Sequence, residues 1–365
     1  MKFLAILLLI LLLAAGAAAG FVWYCIEKPF GRIPAEGVFV EIPHGTSRRA
    51  AGHILGKNGV IRSAIAFEFY ARRHPKRALE AGEYFFDHPL TGKEVFWKLA
   101  NGEVYEQPFT VREGTTMLDI ARDLEMAKIM KADEFLKAAD DPKPIQDVAP
   151  GAETLEGFLF PATYNLPRHV AAPELTGMMV RKFRQAMEQI APALVTEDVT
   201  ATIGPSPVLR WVTLASLVER ETPKPEERPV VAGVYDNRLK KGMLLQCDPT
   251  VIYALEQADK YKGMLTLKDL RFESPYNTYL NRGLPPGPIG NPGEASLRAA
   301  LQPAETDYLY FVADTQGGHF FAATLAEHNQ NVAKYHRLLN GEPADPPVSE
   351  AGRAHSTSAA HKGKR

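Results

Sequence analysis

W-V-T-L-A-S-L-V-E-R-E-T-P, Trp211 to Pro223, is a nearly unbroken apolar run that ends in two carboxylates and a proline. Its length suits about two turns of buried helix. Pro223 disfavours helical geometry at Thr222, so the spacing predicts a helix that stops near Glu221, with Glu219 in its last turn. There the negative end of the helix dipole and the apolar neighbours Leu214, Leu217 and Val218 both oppose ionisation. A carboxyl that keeps its proton nearer to neutral pH has the property a general acid needs. Residues two apart on a helix point about 200° apart, so Glu219 and Glu221 face different surroundings and only one can face a substrate. The same pattern also fits the solvated end of a core helix, because charged residues at helix ends are routine.

Downstream, Val231, Val234, Tyr235 and Leu239 fall at helical spacing, with Asn237 and Arg238 near the end of that helix. G-M-L-L-Q-C-D-P-T-V-I-Y, Gly242 to Tyr253, then carries Gln246 and Asp248, with Pro249 and Thr250 placed to start another helix. Asp248 therefore has two readings, an N-cap or a functional carboxylate. Ser274 to Gly293 holds too many Pro and Gly residues for a helix or a central strand, and loops of this length are commonly functional. Its Tyr276, Asn277, Tyr279 and Asn281 are groups of the kind that stack on and hydrogen-bond sugars, whereas Pro285 to Pro288 reads as a rigid turn. A helix over Ala295 to Leu301, an apolar strand over Tyr308 to Ala313, a hairpin into His319 to Ala323 and a last helix ending near Leu339 complete this region.

Upstream, a helix from Pro173 to about Ile190 places Leu175, Met178, Met179, Phe183 and Met187 along one face, the methionines as core filling. The Pro-rich stretch Ile203 to Pro207 then leads into the central helix. Earlier still, two segments repeat at an offset of 69 residues. Val40, Ile42, Gly45, Thr46 and Leu55 line up with Phe109, Val111, Gly114, Thr115 and Leu124. Each copy reads as a short strand, a glycine turn, a threonine that caps a helix, and helical periodicity. Each is followed by a glycine-aromatic strand, Ala81 to Phe86 and Glu156 to Pro161. This βαα-type pattern resembles the small LysM-like glycan-binding module, and it equally suits a pair of spacers.

Phe3 to Cys25 carries no charge and, at about 1.5 Å per residue, can cross a hydrocarbon core of ~30 Å. Ala15 to Gly20 supplies small residues like those of a signal-peptide cleavage site, but the run continues through Phe21, Val22, Trp23 and Tyr24, an aromatic belt that favours an uncleaved anchor. Val22, Trp23 and Tyr24 are not the small residues expected before a lipidated Cys25.

With 365 residues and a formal net charge of -1, the chain has room for several cores and lacks the basic face a nucleic-acid binder needs. Only Cys25 and Cys247 are cysteines, and the ten histidines show no metal-ligand spacing, so neither a disulfide nor a metal is expected. No cofactor is expected either.

The motifs L-E-G-F-L-F-P-A-T-Y (Leu155 to Tyr164), A-S-L-V-E-R-E-T (Ala215 to Thr222), V-Y-D-N-R-L (Val234 to Leu239), L-Q-C-D-P-T-V-I-Y (Leu245 to Tyr253), S-P-Y-N-T-Y (Ser274 to Tyr279), G-L-P-P-G-P-I (Gly283 to Ile289) and Y-L-Y-F-V-A-D (Tyr308 to Asp314) resemble, in this order, the YceG-like family of membrane-bound endolytic murein transglycosylases. The resemblance runs from the anchor to the last helix. It implies cleavage of the β-1,4 bond between N-acetylmuramic acid and N-acetylglucosamine in nascent peptidoglycan without water, leaving a 1,6-anhydromuramic end and terminating strand elongation. It places the catalytic glutamate on Glu219. Cys247 stands where the family usually has Thr or Ser.

The expected fold is α+β: a single transmembrane helix (1–25), two small LysM-like units (26–104 and 105–165), a mixed α/β catalytic domain (166–340) and a disordered tail (341–365). Gln246, Asp248, Tyr276, Asn277, Tyr279 and Glu156 are the expected substrate-binding groups. The implied partners are peptidoglycan glycan strands and penicillin-binding protein glycan polymerases, with no nucleic acid. The implied location is the bacterial cytoplasmic membrane, N-terminus inside and the catalytic region exported. Three rival readings are a hydrolytic muramidase using Asp248, a non-catalytic peptidoglycan-binding anchor, and a thiol hydrolase pairing Cys247 with His319.

Overall fold

The computed structural model describes residues 2–31, 33–196, 206–341 and 343. The start of the Ile203 to Pro207 stretch and the tail beyond 343 lie outside the described residues. The described residues form two compact units, one from 1–109 with 164–169 and one from 110–163 with those from 170 to 341.

The first unit begins with one helix, α1 (Lys2–Glu27). Strands β1 (Val38–Ile42) and β2 (Gly82–Phe86) pair antiparallel with Val40 opposite Tyr84, and between them run helices α2 (Arg48–Lys57) and α3 (Ala64–Arg72). The strand alternation sends Val40, Ile42, Tyr84 and Phe86 into a core with Leu55, Phe67, Phe96 and Leu99, while Glu41 points out. Helix α4 (Gly92–Ala100) follows, its start fixed by a capping box between Thr91 and Glu94.

The second repeat reproduces this layout. Strand β3 (Gln107–Thr110), helices α5 (Met117–Met126) and α6 (Ala132–Ala139), and strand β4 (Thr163–Leu166), which pairs with β3, follow the same order. Gly45 and Gly114 hold the same left-handed turn, at φ +77° and +76°. The two threonines that follow do not cap helices, contrary to the sequence expectation. Thr46 and Thr115 donate their hydroxyls back to Pro43 and Arg112 carbonyls and close the glycine turn. The next residues, Ser47 and Thr116, are the caps.

A second correction concerns Glu156 to Pro161, which is not a strand. Glu156, Gly157, Phe158 and Leu159 are all buried in succession, which a two-residue alternation cannot do, and Gly157 at φ +88° turns the chain. The pairing strand is β4, just beyond.

The rest of the second unit surrounds the central helix. Helix α7 (Ala172–Ile190) buries Leu175, Met179, Phe183 and Met187, and a short α8 (Pro192–Thr196) follows. Helix α9 (Pro207–Glu221) starts at a Ser206 cap with Pro207 in its first turn and buries every residue from Trp211 to Val218. It stops where the sequence predicts, because Thr222 is extended before Pro223. Helices α10 (Arg228–Lys240), α11 (Asp248–Gln257) and α12 (Glu294–Leu301) pack on it. Trp211 Nε1 donates to the Leu297 carbonyl at 2.8 Å, and the Ile289 N–H donates to Ser216 Oγ at 3.0 Å, so both neighbours are tied to the α9 core. A hairpin of β5 (Tyr310–Ala313) and β6 (His319–Ala322), then α13 (Leu325–Leu339), close the unit.

Candidate active site

The last turn of α9 sends its two carboxylates to different surroundings, as helix geometry requires. Glu219 Oε1 accepts from Arg228 Nη2 at 2.8 Å, and Oε2 accepts from the Gly293 N–H at 3.0 Å. Arg228 opens α10, and its other terminal nitrogen lies 3.7 Å from Glu113, which is half exposed. Burial pushes the Glu219 carboxyl above the ordinary range. The Gly293 N–H, the Arg228 guanidinium and the nearby Ser296 hydroxyl pull it down, and Glu113 adds repulsion, with burial prevailing.

The second repeat supplies one wall of this site. Gly114 carries no side chain, and a Cβ there would sit 3.4 Å from Glu219 Cγ. Its N–H donates to the Asn291 carbonyl at 2.8 Å, and its own carbonyl accepts from Arg220 Nη1 at 3.3 Å. The turn Glu113 to Thr115 thus belongs to the surroundings of Glu219, which neither the spacer nor the module reading of the sequence expected.

Glu221 faces elsewhere. Its Oε2 accepts from the Tyr235 hydroxyl at 2.9 Å and the Cys247 thiol at 3.5 Å, and burial raises its carboxyl as well. Asp248 and Tyr279 stand on this side, joined by a hydrogen bond from the Tyr279 hydroxyl. Asp248 is the first residue of α11 and Cys247 precedes it, so Asp248 is not the N-cap. Gln246 is exposed, holds φ +51° and accepts from Arg238 through Oε1 at 3.3 Å.

Glu156 occupies a third place. It is buried, accepts from the Met117 N–H at 3.1 Å, Tyr253 at 3.3 Å and Asn291 Nδ2 at 3.1 Å, and burial raises it to about 8. Together with Tyr253 and Tyr276 it borders a cavity of about 260 Å³ that Glu219 does not line. The expected binding groups are thus divided: Glu156 and Tyr276 at this cavity, Gln246, Asp248 and Tyr279 on the Glu221 side.

Asn277 needs correction. It is fully enclosed, with Nδ2 donating to the Leu270 and Phe272 carbonyls and Oδ1 accepting from the Tyr279 N–H. Its polar atoms staple the loop and present nothing to a ligand. The thiol reading fails too. Cys247 is buried against Glu221, which together with desolvation holds its thiol well above the usual range, while His319 Nδ1 is engaged by Glu227 at 2.7 Å.

Arg228, Glu113, Gly293 and Asn291 were not picked out by sequence reasoning. Asn291 is a buried hub whose Oδ1 accepts from Leu159 N–H at 2.9 Å and whose Nδ2 also donates to the Thr115 carbonyl at 2.9 Å. The only local signal was the G-N-P-G ending of the long loop, where an asparagine and glycines sit among prolines.

A buried acid held by one cation and one backbone N–H suits proton donation followed by stabilisation of the resulting anion. The model of the YceG-like family matches residues 40–334. A protein of Bacillus subtilis (strain 168) named endolytic murein transglycosylase is 36% identical over 315 residues, covering 82% of this chain and 84% of that protein. A protein of the same name from Streptococcus pneumoniae serotype 2 is 28% identical over 360 residues, covering 90% of this chain and 64% of the relative. A crystal structure of a yceG-like protein from Listeria monocytogenes superposes with a TM-score of 0.53 at 34% identity, over 81% of this chain and 99% of the other.

Proposed function

The chain belongs to the YceG-like family, and on that premise we propose that it is a peptidoglycan lytic transglycosylase with Glu219 as its acid. The support is the shared name of its relatives and the setting of Glu219, a buried carboxyl raised by desolvation yet bonded to Arg228 and the Gly293 N–H.

The reaction needs one proton donor. Glu219 protonates the glycosidic oxygen as the bond from the muramic anomeric carbon breaks, and the N-acetylglucosamine unit leaves as an alcohol. The muramic 6-hydroxyl attacks the same anomeric carbon, its proton passing to the Glu219 carboxylate, and the 1,6-anhydro ring closes with no water consumed. Intramolecular attack carries a high effective molarity, so no second carboxylate is needed to activate a nucleophile. The groups that would hold the transient anion are in place on Glu219, namely Arg228 and the Gly293 amide. Asp248, the second acid of a muramidase, stands with Glu221 instead.

Gln246, Asp248, Tyr276 and Tyr279 remain our candidates for sugar contacts, and Glu156 acts from behind through Asn291 and the α5 N-terminus. The two strand–helix–helix–strand repeats are consistent with LysM-like glycan binding. Helix α1, 26 residues long with no charge between Lys2 and Glu27, serves as a single-pass anchor that holds the catalytic unit outside the cytoplasmic membrane. There it would cut strands as glycan polymerases of the penicillin-binding class make them.

The test is to digest uncrosslinked glycan and titrate new reducing ends. A lytic enzyme releases fragments while creating none, whereas one new reducing end per cut would assign the activity to hydrolysis.

A further inference from the structure

Within the first unit, the end of α1 is built into the fold. Cys25 and Ile26 are buried against Ala66 of α3, and a Cβ on Gly92 would lie 3.0 Å from the Cys25 carbonyl. The Arg62 guanidinium, just before α3, stacks on Tyr24 and Phe30 at 4.5 and 4.6 Å. No flexible joint therefore separates α1 from α3.

Between these helices runs an open groove of about 600 Å³. One wall is the Ala15, Ala18, Ala19 and Val22 face of α1, continuing to Trp23 and Glu27; the other is Phe69, Tyr70 and Arg73. Ala15 precedes Cys25 by about 15 Å of helix, so the groove reaches down the apolar stretch itself. On the α3 side, Ile65 is 78% exposed and Phe69 48% exposed, one helical turn apart. The Arg73 guanidinium lies over the Phe69 ring at 4.8 Å. From position 62 to 77 the chain has five lysines and arginines, Arg62, Arg72, Arg73, Lys76 and Arg77, against one carboxylate, Glu68. Exposed aromatic and aliphatic groups rimmed by long cationic side chains suit the headgroup boundary of a bilayer.

We propose that this groove seats an anionic phospholipid of the bilayer that α1 enters, its acyl chain along Ala15, Ala18, Val22 and Phe69 and its phosphate at Arg73. Continuity with α1 and the excess of cations over carboxylates from 62 to 77 select this occupant. The consequence is that the first repeat lies on the membrane surface rather than projecting freely from it. This rests on reading α1 as a membrane anchor.

The experiment uses the full chain in liposomes, with a nitroxide on I65C, on L9C within α1, or on K57C as an aqueous reference; the native Cys25 and Cys247 are buried. Collision with oxygen is compared with collision with a water-soluble nickel chelate. The expected oxygen-to-nickel ratio at position 65 is about threefold that at position 57, and it rises further with phosphatidylglycerol in the liposomes. R73E is expected to abolish the phosphatidylglycerol-dependent rise. An immersed position 9 with a fully aqueous position 65 overturns the lipid seat and leaves the anchor standing. A position 65 label immersed equally with or without anionic lipid overturns the phosphate contact. An aqueous position 9 overturns the anchor, and the lipid seat with it.

Discussion

Arg228 donates to Glu219 at 2.8 Å, and the two side chains are only 6% and 5% exposed. An enclosed pair of this kind usually strips a carboxyl of its proton, yet here desolvation outweighs the cation and the acid is raised. Arg228 also lies 3.7 Å from Glu113, so its charge is shared between two carboxylates. Glu219 thus combines a carboxyl raised by burial with a cation already bonded to it, the pairing the proposed acid role requires.

Arg228→Gln separates these roles. Losing a factor that lowers the Glu219 pKa moves the alkaline limb of the pH–rate profile upward, and the maximal rate falls because the carboxylate formed in the reaction has lost its cation. A pH–rate series on both proteins reads the two effects. An alkaline limb that stays in place would mean that Glu219 does not set it.

Glu156 makes stability depend on pH. Its folded pKa, about 8, exceeds the ordinary carboxyl value of 4.5. The sign follows: over that window the folded state holds the extra proton, so the contribution is fully present below 4.5 and is lost as pH rises through 8. Its limiting slope is about 1.4 kcal/mol per pH unit. Thermal melts of Glu156→Gln should decline less steeply than wild type between pH 5 and 8, although Glu219 and Glu221, raised in the same direction, leave some slope.

Asn291→Ala removes the bonds to Leu159, Thr115 and Glu156 at one stroke. Leaving these buried groups unpaired is expected to cost about 2–4 kcal/mol, measured by denaturant unfolding. A change within experimental error would mean that the hub does not hold the second repeat to the long loop.

Cys247 should resist alkylation in the native protein, with activity unchanged, and react only after unfolding, because it is 1% exposed and its thiol is raised. Rapid labelling with loss of activity would reinstate a thiol mechanism.

The central helix and its end were legible because their determinants are local, an apolar run and Pro223 as a stop, whereas its start at the Ser206 cap and Pro207, ahead of the apolar run, was not read. The divergence of Glu219 and Glu221 followed from helix geometry alone. Failures arose where a contact joins distant parts of the chain. Nothing near Arg228 announces Glu219, and nothing in Glu113-Gly114 signals that this turn borders an acid more than a hundred residues away. Asn277 looked like a sugar ligand because a polar loop residue can equally bind its own loop, and its three internal bonds decide the matter. Glu156 to Pro161 looked like a strand because an aromatic-rich segment without periodicity can be buried on every side.

The most direct test is mass spectrometry of the ends released from nascent, uncrosslinked glycan by the wild-type protein and by Glu219→Gln. The account predicts ends lighter by one water from the wild type, and a rate reduced about 10²–10⁴-fold in a variant that melts like the wild type. Ends carrying the full water, or near-normal cleavage by Glu219→Gln, would contradict it.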